Sequence, residues 1–316
     1  MLKIALLFPG QGAQHVGMGK SLYDQFSFAK KTFEEADQVL GWSLTRLCFE
    51  GPQEELTQTA NSQPAILAAS VAAWRVFKER FIDQVGAGFK PAPTAAAGLS
   101  LGEYSALVAA EGLSFAEALR VVRIRGEAME KAARQNPGTM ASIIGLEKGL
   151  VEEICRGSGA EVANINSPEQ IVISGTKEAV EKGASLAKAK GAKRAILLEV
   201  SGPFHSKWMA PAQPAVRSAL EKSSVKLPSV PVVHNVTAAP AGSTQEIRDH
   251  LVAQLCHSTR WVETIQWMRG KGIQHFVELG PGKVLTGLLK RIDSAAVGYH
   301  IDTPEELEEF EQNITT

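Results

Sequence analysis

The stretch Gly98-Leu99-Ser100-Leu101-Gly102 constrains this chain more than any other, because it sets a glycine-flanked serine between a small-residue apolar run and an amphipathic stretch. Thr94-Ala95-Ala96-Ala97 reads as the end of a buried strand, and Leu101, Ala106, Leu107 and Ala110 as one face of a following helix. So sharp a strand-to-helix turn needs small residues beside the serine. It projects the hydroxyl at a helix N-terminus and leaves the next backbone N–H free to face an oxyanion. An ordinary glycine turn fits the same pattern, so the pentapeptide alone leaves catalytic elbow and structural turn both open.

With 316 residues the chain has room for one large α/β domain carrying an insertion, or for two ordinary domains. Its 33 basic and 34 acidic side chains nearly cancel, so no global field draws it to nucleic acid or to an anionic membrane. Cys48, Cys155 and Cys256 are odd in number, far apart and without C-x-x-C spacing, which argues against a disulfide framework or a structural zinc site and for a reducing compartment. The apolar opening Ile4 to Phe8 is broken by Pro9-Gly10, too short for a signal-peptide core, and no later run has the length of a membrane span. The expected location is the cytoplasm.

Ile4 to Phe8 reads as a buried strand entering the glycine-rich loop Pro9-Gly10-Gln11-Gly12-Ala13-Gln14. A dinucleotide fingerprint fails there, because His15 stands where a third glycine is needed. The spacing predicts a helix from about Pro64 to Phe81, a Gly/Pro-rich loop over Gly86 to Pro93, and a helix from Ser114 to about Arg134. Arg125 falls on the apolar stripe of that last helix. An arginine so placed either pairs with a fixed carboxylate of the protein or binds an anionic ligand.

Between Thr139 and Pro203 the pattern becomes strand 139–144, helix 147–155, strands 161–165 and 170–174, helix 177–190 and strand 195–200. That β-α-β-β-α-β order predicts a ferredoxin-like subdomain over 137–201, inserted in an α/β-hydrolase-like large subdomain formed by 1–136 and 202–316. A cleft is expected where the two meet. Further on, a short strand over 230–233, helices over 247–255 and 262–268, a strand over 273–279 and a helix from Lys283 to Arg291 are expected. The acidic tail from Pro304 reads as a solvated helix or a frayed end. Gly280-Pro281-Gly282-Lys283 is no phosphate-binding P-loop, since its glycines are too close and no Ser or Thr follows the lysine.

Gly202-Pro203-Phe204-His205-Ser206 places a histidine where the insertion rejoins the body, the only histidine between His15 and His234. Ser100 with His205 makes a nucleophile and a general base. An α/β-hydrolase carries its acidic residue between the two in the chain, yet no aspartate lies between Ser100 and His205. Glu199 is one stand-in. A dyad is the reading adopted, its imidazole oriented by a backbone carbonyl or by Asn235, with backbone N–H groups of Leu101 and the Gln11 loop as oxyanion donors. Each such donor lowers the barrier by about 3 kcal/mol.

With these residues in place, the chain resembles the malonyl-CoA:acyl carrier protein transacylase family over nearly its full length. The matching blocks are Phe8-Pro9-Gly10-Gln11-Gly12-Ala13-Gln14, Gly98-Leu99-Ser100-Leu101-Gly102-Glu103-Tyr104, Arg123-Ile124-Arg125-Gly126, Asn164-Ile165-Asn166-Ser167-Pro168, Gly202-Pro203-Phe204-His205-Ser206 and Glu278-Leu279-Gly280-Pro281-Gly282-Lys283-Val284-Leu285. The resemblance implies ping-pong transfer of malonyl from malonyl-CoA to the phosphopantetheine thiol of acyl carrier protein through a malonyl ester of Ser100, feeding fatty-acid or polyketide synthesis. His205 is then the base, Gln11 and Leu101 supply the oxyanion N–H groups, and Arg125 holds the malonyl carboxylate as a bidentate pair.

Phe204 and Asn166 fall to substrate binding, Phe204 in the form that leaves little room for an α-methyl group. Arg260 stands where some members have a glutamine whose main-chain carbonyl orients the imidazole, and Leu99 where many have histidine. No cofactor and no metal are implied beyond the two substrates, and the protein is expected to act as a monomer. Lys188, Lys190, Lys193 and Arg194 form a basic cluster that fits either an acidic carrier protein or a solvated face. The rival function is a serine hydrolase, a thioesterase or esterase passing the acyl group to water; a non-catalytic binding module is a further rival.

Overall fold

The fold is that of a computed structural model, which describes residues 2–83 and 91–315. Its strands are β1 (Leu2–Phe8), β2 (Pro91–Gly98), β3 (Thr139–Ile144), β4 (Glu161–Ser167), β5 (Gln170–Gly175), β6 (Arg194–Leu197), β7 (His275–Leu279) and β8 (Val297–Ile301). They form two sheets in a mixed α/β architecture. One is parallel with order β2-β1-β7-β8, and the other is antiparallel with order β4-β5-β3-β6.

β1 is apolar and buried from Ile4 to Phe8 because helices cover both faces of its sheet there. Ile4, Leu6 and Phe8 point into the core built with the helix Thr59–Lys78, while Ala5 and Leu7 meet Trp261, Ile265 and Met268 on the other side. The antiparallel sheet divides its residues by the same two-residue period. Ala141, Ile143, Ile171 and Ile173 face the helices Lys148–Ser158 and Lys177–Ala189, and Met140 and Val172 turn toward the large body.

The small sheet is stitched to the body through β4. Thr259 donates its N–H to the Ala163 carbonyl at 2.8 Å and accepts from the Ile165 N–H at 2.9 Å, and Asn164 Nδ2 donates to Thr259 Oγ1 at 2.7 Å.

Several local expectations shift. The helix expected from Pro64 begins at Thr59, with the proline inside it. The strand expected over 230–233 is reduced to single bridges, Val232 to Ala96 and Val233 to Pro240, since Pro231 has no N–H to give a ladder. β6 ends at Leu197, so Glu199 and Val200 leave the sheet. β8 was not foreseen, because Gly298 and the half-buried Tyr299 and His300 carry no clear alternation. The acidic tail is a helix, Pro304–Thr315, that buries Leu307 and Phe310, the latter ring against Phe77, Phe81 and Tyr299. The expected loop from Gly86 lies up to residue 90 outside the described residues. Among the described residues no helix is long and apolar enough to cross a membrane.

The elbow rests on backbone packed against backbone. A Cβ on Gly98 would stand 1.9 Å from the Gly102 carbonyl carbon, one on Gly102 2.1 Å from the Phe8 oxygen, and one on Gly10 2.4 Å from the Leu99 oxygen. None of these neighbours is a side chain that can swing away. Gly98→Ala should therefore cost about 3 kcal/mol or more, the upper end for overpacking, read as a lowered urea midpoint. Gly149→Ala, where a helical Cβ meets nothing within 4 Å, should be neutral or stabilising.

Candidate active site

β2 delivers the chain to Ser100, whose φ of 52° lies in the left-handed region that only a tightly held non-glycine residue keeps. Asn235 holds it. Its Oδ1 accepts from the Ser100 N–H at 2.7 Å and its Nδ2 donates to the Gly98 carbonyl at 2.8 Å, so one side-chain amide pins both sides of the turn.

His205 also has a left-handed φ, 57°, in the loop leaving the small sheet. Its Nδ1 lies 2.8 Å from the Gln254 backbone oxygen and its Nε2 2.8 Å from Ser100 Oγ. A carbonyl can only accept, so Nδ1 carries the proton and Nε2 presents its lone pair to the serine. The orienting group is thus Gln254, not Asn235 or Arg260. Gln254 opens a short 3₁₀ turn at the end of the helix Thr244–Ala253, where backbone carbonyls lack helical partners. Arg260 instead gives its N–H to the Asn235 carbonyl at 2.9 Å and its guanidinium to the Thr237 carbonyl and Glu263. Glu199 is exposed at the pocket and makes no hydrogen bond to His205. Burial, then the nearby Arg125 charge, push the His205 imidazole down to about 4, outweighing the Gln254 carbonyl and Glu103.

Arg125 is completely buried. Its Nη1 donates to Gln63 Oε1 at 2.8 Å, and its Nη2 to Gln254 Oε1 at 2.9 Å and to Ser100 Oγ at 3.1 Å. Every one of these acceptors is neutral. Among the described residues no carboxylate lies within ion-pair distance of the guanidinium, which leaves the structural ion-pair alternative without a partner. Its Nε has no hydrogen bond, and burial lowers its affinity for the proton.

The site opens into a cavity of about 420 Å³ between the two sheets, lined among others by Gln11, Ser100, Met129, Met140, Asn166 and Phe204. Asn166 brings a buried Oδ1 with no hydrogen-bond partner. The Gln11 side chain donates to Thr59 Oγ1 at 3.1 Å, and Thr59 in turn meets Ser201 Oγ at 3.1 Å, fixing the glycine-rich loop to the exit of the small sheet. Among the described residues neither the Gln11 nor the Leu101 backbone N–H is taken by a protein acceptor. In the basic cluster Lys190 is paired with Glu153 and Lys193 with Glu169. No group of His, Cys, Asp or Glu among the described residues is arranged to hold a metal ion.

Sequence reasoning missed Gln254, Gln63 and Glu103. Glu103 is fully buried one turn after Ser100, and accepts from His234 Nδ1 at 2.6 Å, the Asn235 N–H at 3.0 Å and Gln254 Nε2 at 2.8 Å. Burial raises its pKa, but His234 and these donors outweigh that and hold the carboxyl below the usual range. A carboxylate within the apolar helix Gly102–Ala109 was the available signal.

The family model of the acyl transferase domain matches residues 5–305. The malonyl CoA-acyl carrier protein transacylase of Bacillus subtilis is 45% identical over 313 residues, covering 98% of this chain and 96% of its own. That of Escherichia coli K12 is 43% identical over 308 residues, with 96% and 97% covered. A malonyl-transacylase solved in complex with a type II PKS acyl-carrier protein superposes with a TM-score of 0.93 at 42% identity, covering 98% of this chain and 99% of that one. The transacylase of Coxiella burnetii gives 0.94 at 39%, covering 100% and 98%.

Since the reactive imidazole is the neutral one, labelling of Ser100 by a fluorophosphonate should persist on acidification and fall only near the His205 value of about 4. Arg125→Leu removes a charge that depresses the imidazole, so the acid limb should rise toward the ordinary histidine range near 6.5. A wild-type limb already near 6.5 would contradict the burial argument.

Proposed function

From the premise that the chain belongs to the acyl transferase family, we propose that it moves malonyl from malonyl-CoA to the phosphopantetheine thiol of an acyl carrier protein through a malonyl ester of Ser100. One observation carries the chemistry: Ser100 Oγ sits between a proton-accepting His205 Nε2 and a buried guanidinium that has only neutral partners.

In the first half-reaction the Ser100 proton passes to His205 Nε2 as Oγ attacks the thioester carbonyl. The imidazolium keeps its Nδ1–H on the Gln254 carbonyl, 2.8 Å away. The oxyanion takes the unused N–H groups of Gln11 and Leu101, and collapse of the tetrahedral species expels CoA, whose sulfur receives the proton back from Nε2. In the second half-reaction the carrier's thiol gives its proton to His205 and attacks the ester, and Ser100 Oγ leaves with that proton. Arg125 selects for malonyl because the substrate carboxylate brings the negative charge that the protein itself withholds, in a planar geometry that guanidinium matches. Phe204 and Asn166 line the acyl site, the ring filling the space an α-methyl branch would need and the unpartnered Asn166 oxygen offering an acceptor.

We read residues 137–201 as a ferredoxin-like insertion, since the order β4-β5-β3-β6 is the second, third, first and fourth strand of its β-α-β-β-α-β unit. Residues 1–136 and 202–316 then form the α/β-hydrolase-like body. The reaction is placed in the cytoplasm, in keeping with three free cysteines, and draws on its two substrates alone. We propose further that the protein acts as a monomer. The basic cluster is a weaker docking surface than its four charges imply, two being spent on Glu153 and Glu169.

Intact-mass measurement after mixing with malonyl-CoA should show one malonyl adduct, on Ser100, that persists until holo carrier protein is added. Release of free malonate without a carrier would instead favour the serine hydrolase reading. Arg125→Ala should lower kcat/KM for malonyl transfer roughly 100-fold, the scale of a lost charge-assisted hydrogen bond, and spare acetyl transfer. Equal losses on both substrates would remove the carboxylate role.

A further inference from the structure

Gln254 touches both halves of the site at once. Its backbone oxygen accepts from His205 and its side-chain oxygen from Arg125. Its Nε2 donates to the Ser100 carbonyl at 3.0 Å and to Glu103 Oε2 at 2.8 Å. A primary amide has two ends of nearly the same shape, one a donor and one an acceptor. Turned over, this one would set N–H against the Arg125 guanidinium in a buried place where neither group finds water. What separates the two orientations is the pair of acceptors on the Nε2 side, and Glu103 supplies the shorter contact.

The Glu103 carboxylate is itself rigidly placed. The elbow helix carries it, His234 Nδ1 and the Asn235 N–H hold it, and Asn235 is the residue whose side chain pins the Ser100 turn. We infer that Glu103 is a positioning residue for the transfer, acting through Gln254: by accepting from Nε2 it keeps the amide oxygen turned to Arg125. It touches neither substrate nor the reacting atoms. The inference rests on the Ser100 dyad proposed above.

The alternative role for a buried carboxylate beside a buried guanidinium is that of a counter-ion, and two conservative variants separate the two. Glu103→Gln abolishes the charge but can keep an oxygen at the Oε2 position, whereas Glu103→Asp keeps the charge and withdraws the acceptor by one methylene. Both are assayed per active site, counted by fluorophosphonate titration, so that a loss of folded protein does not enter the result.

Positioning predicts that Glu103→Gln stays within about threefold of wild type in kcat/KM. Glu103→Asp should lose about 10- to 100-fold, the scale of a misplaced catalytic group, together with much of its preference for malonyl over acetyl. Glu103→Asp with unchanged per-site kcat/KM and preference would overturn the inference, and so would Glu103→Gln losing as much as Glu103→Asp, since an acceptor oxygen at the Oε2 position would then not suffice. Should Glu103→Asp not fold, Gln254→Met removes the amide while leaving the backbone carbonyl on His205. It should reproduce the lost preference, and an intact preference there would equally overturn the inference. Wild type on the same preparations must form the Ser100 malonyl adduct. Its absence would reject the dyad reading itself, a result distinct from any behaviour of Glu103.

Discussion

A guanidinium buried without a carboxylate is the constraint on which the rest of this site depends. Removing a charge from water costs several kcal/mol even after relaxation, and a nearby opposite charge is the usual remedy. Here Arg125 is given only the oxygens of Gln63, Gln254 and Ser100, with the Tyr104 ring 5.7 Å from its centre. The nearest placed negative charge, Glu103, is reached only through an intervening amide. The protein therefore tolerates a cation it could have neutralised, and leaves the neutralisation to whatever binds. On the proposed reading, substrate affinity and the cost of building the site are two faces of one electrostatic deficit.

The same deficit shapes the base. Burial first, and then the nearby Arg125 charge, hold His205 neutral, which suits a group proposed to accept a proton first. A third, charged member of a hydrolase triad contacting Nδ1 would have offset that effect. A backbone carbonyl fixes the tautomer without doing so.

The two sheets and their division were legible because their signals are periodic. An unbroken apolar run marks a doubly covered parallel strand, as at Ile4 to Phe8, and alternation marks the small sheet. β8 was not, since Gly298, Tyr299 and His300 pack in ways no alternation encodes. At the site, Ser100, Arg125 and His205 could be named from the chain because each violates its surroundings: a serine between glycines, an arginine on an apolar stripe, an isolated histidine in a loop. Gln254 could not. Its function lies in a main-chain oxygen and in an amide facing two ways, and neither leaves a mark on residue type. The residues alone leave the orienting role to a backbone carbonyl or to Asn235, and the resemblance puts Arg260 there; the group that meets Nδ1 is a backbone carbonyl, that of Gln254. Which carbonyl reaches an imidazole depends on where a helix stops, and Thr244–Ala253 stops at Gln254.

The small sheet is bound to the body by main-chain hydrogen bonds between β4 and Thr259 on either side of Asn164, not only by side-chain packing. Widening the cleft at this joint would have to break those hydrogen bonds, which opposes opening by a hinged-flap motion. Diversification of this architecture toward bulkier acyl groups then has to proceed by trimming the side chains that line it, Met129, Met140 and Phe204 among them, while the frame that aligns serine, histidine and arginine passes unchanged from one specificity to the next.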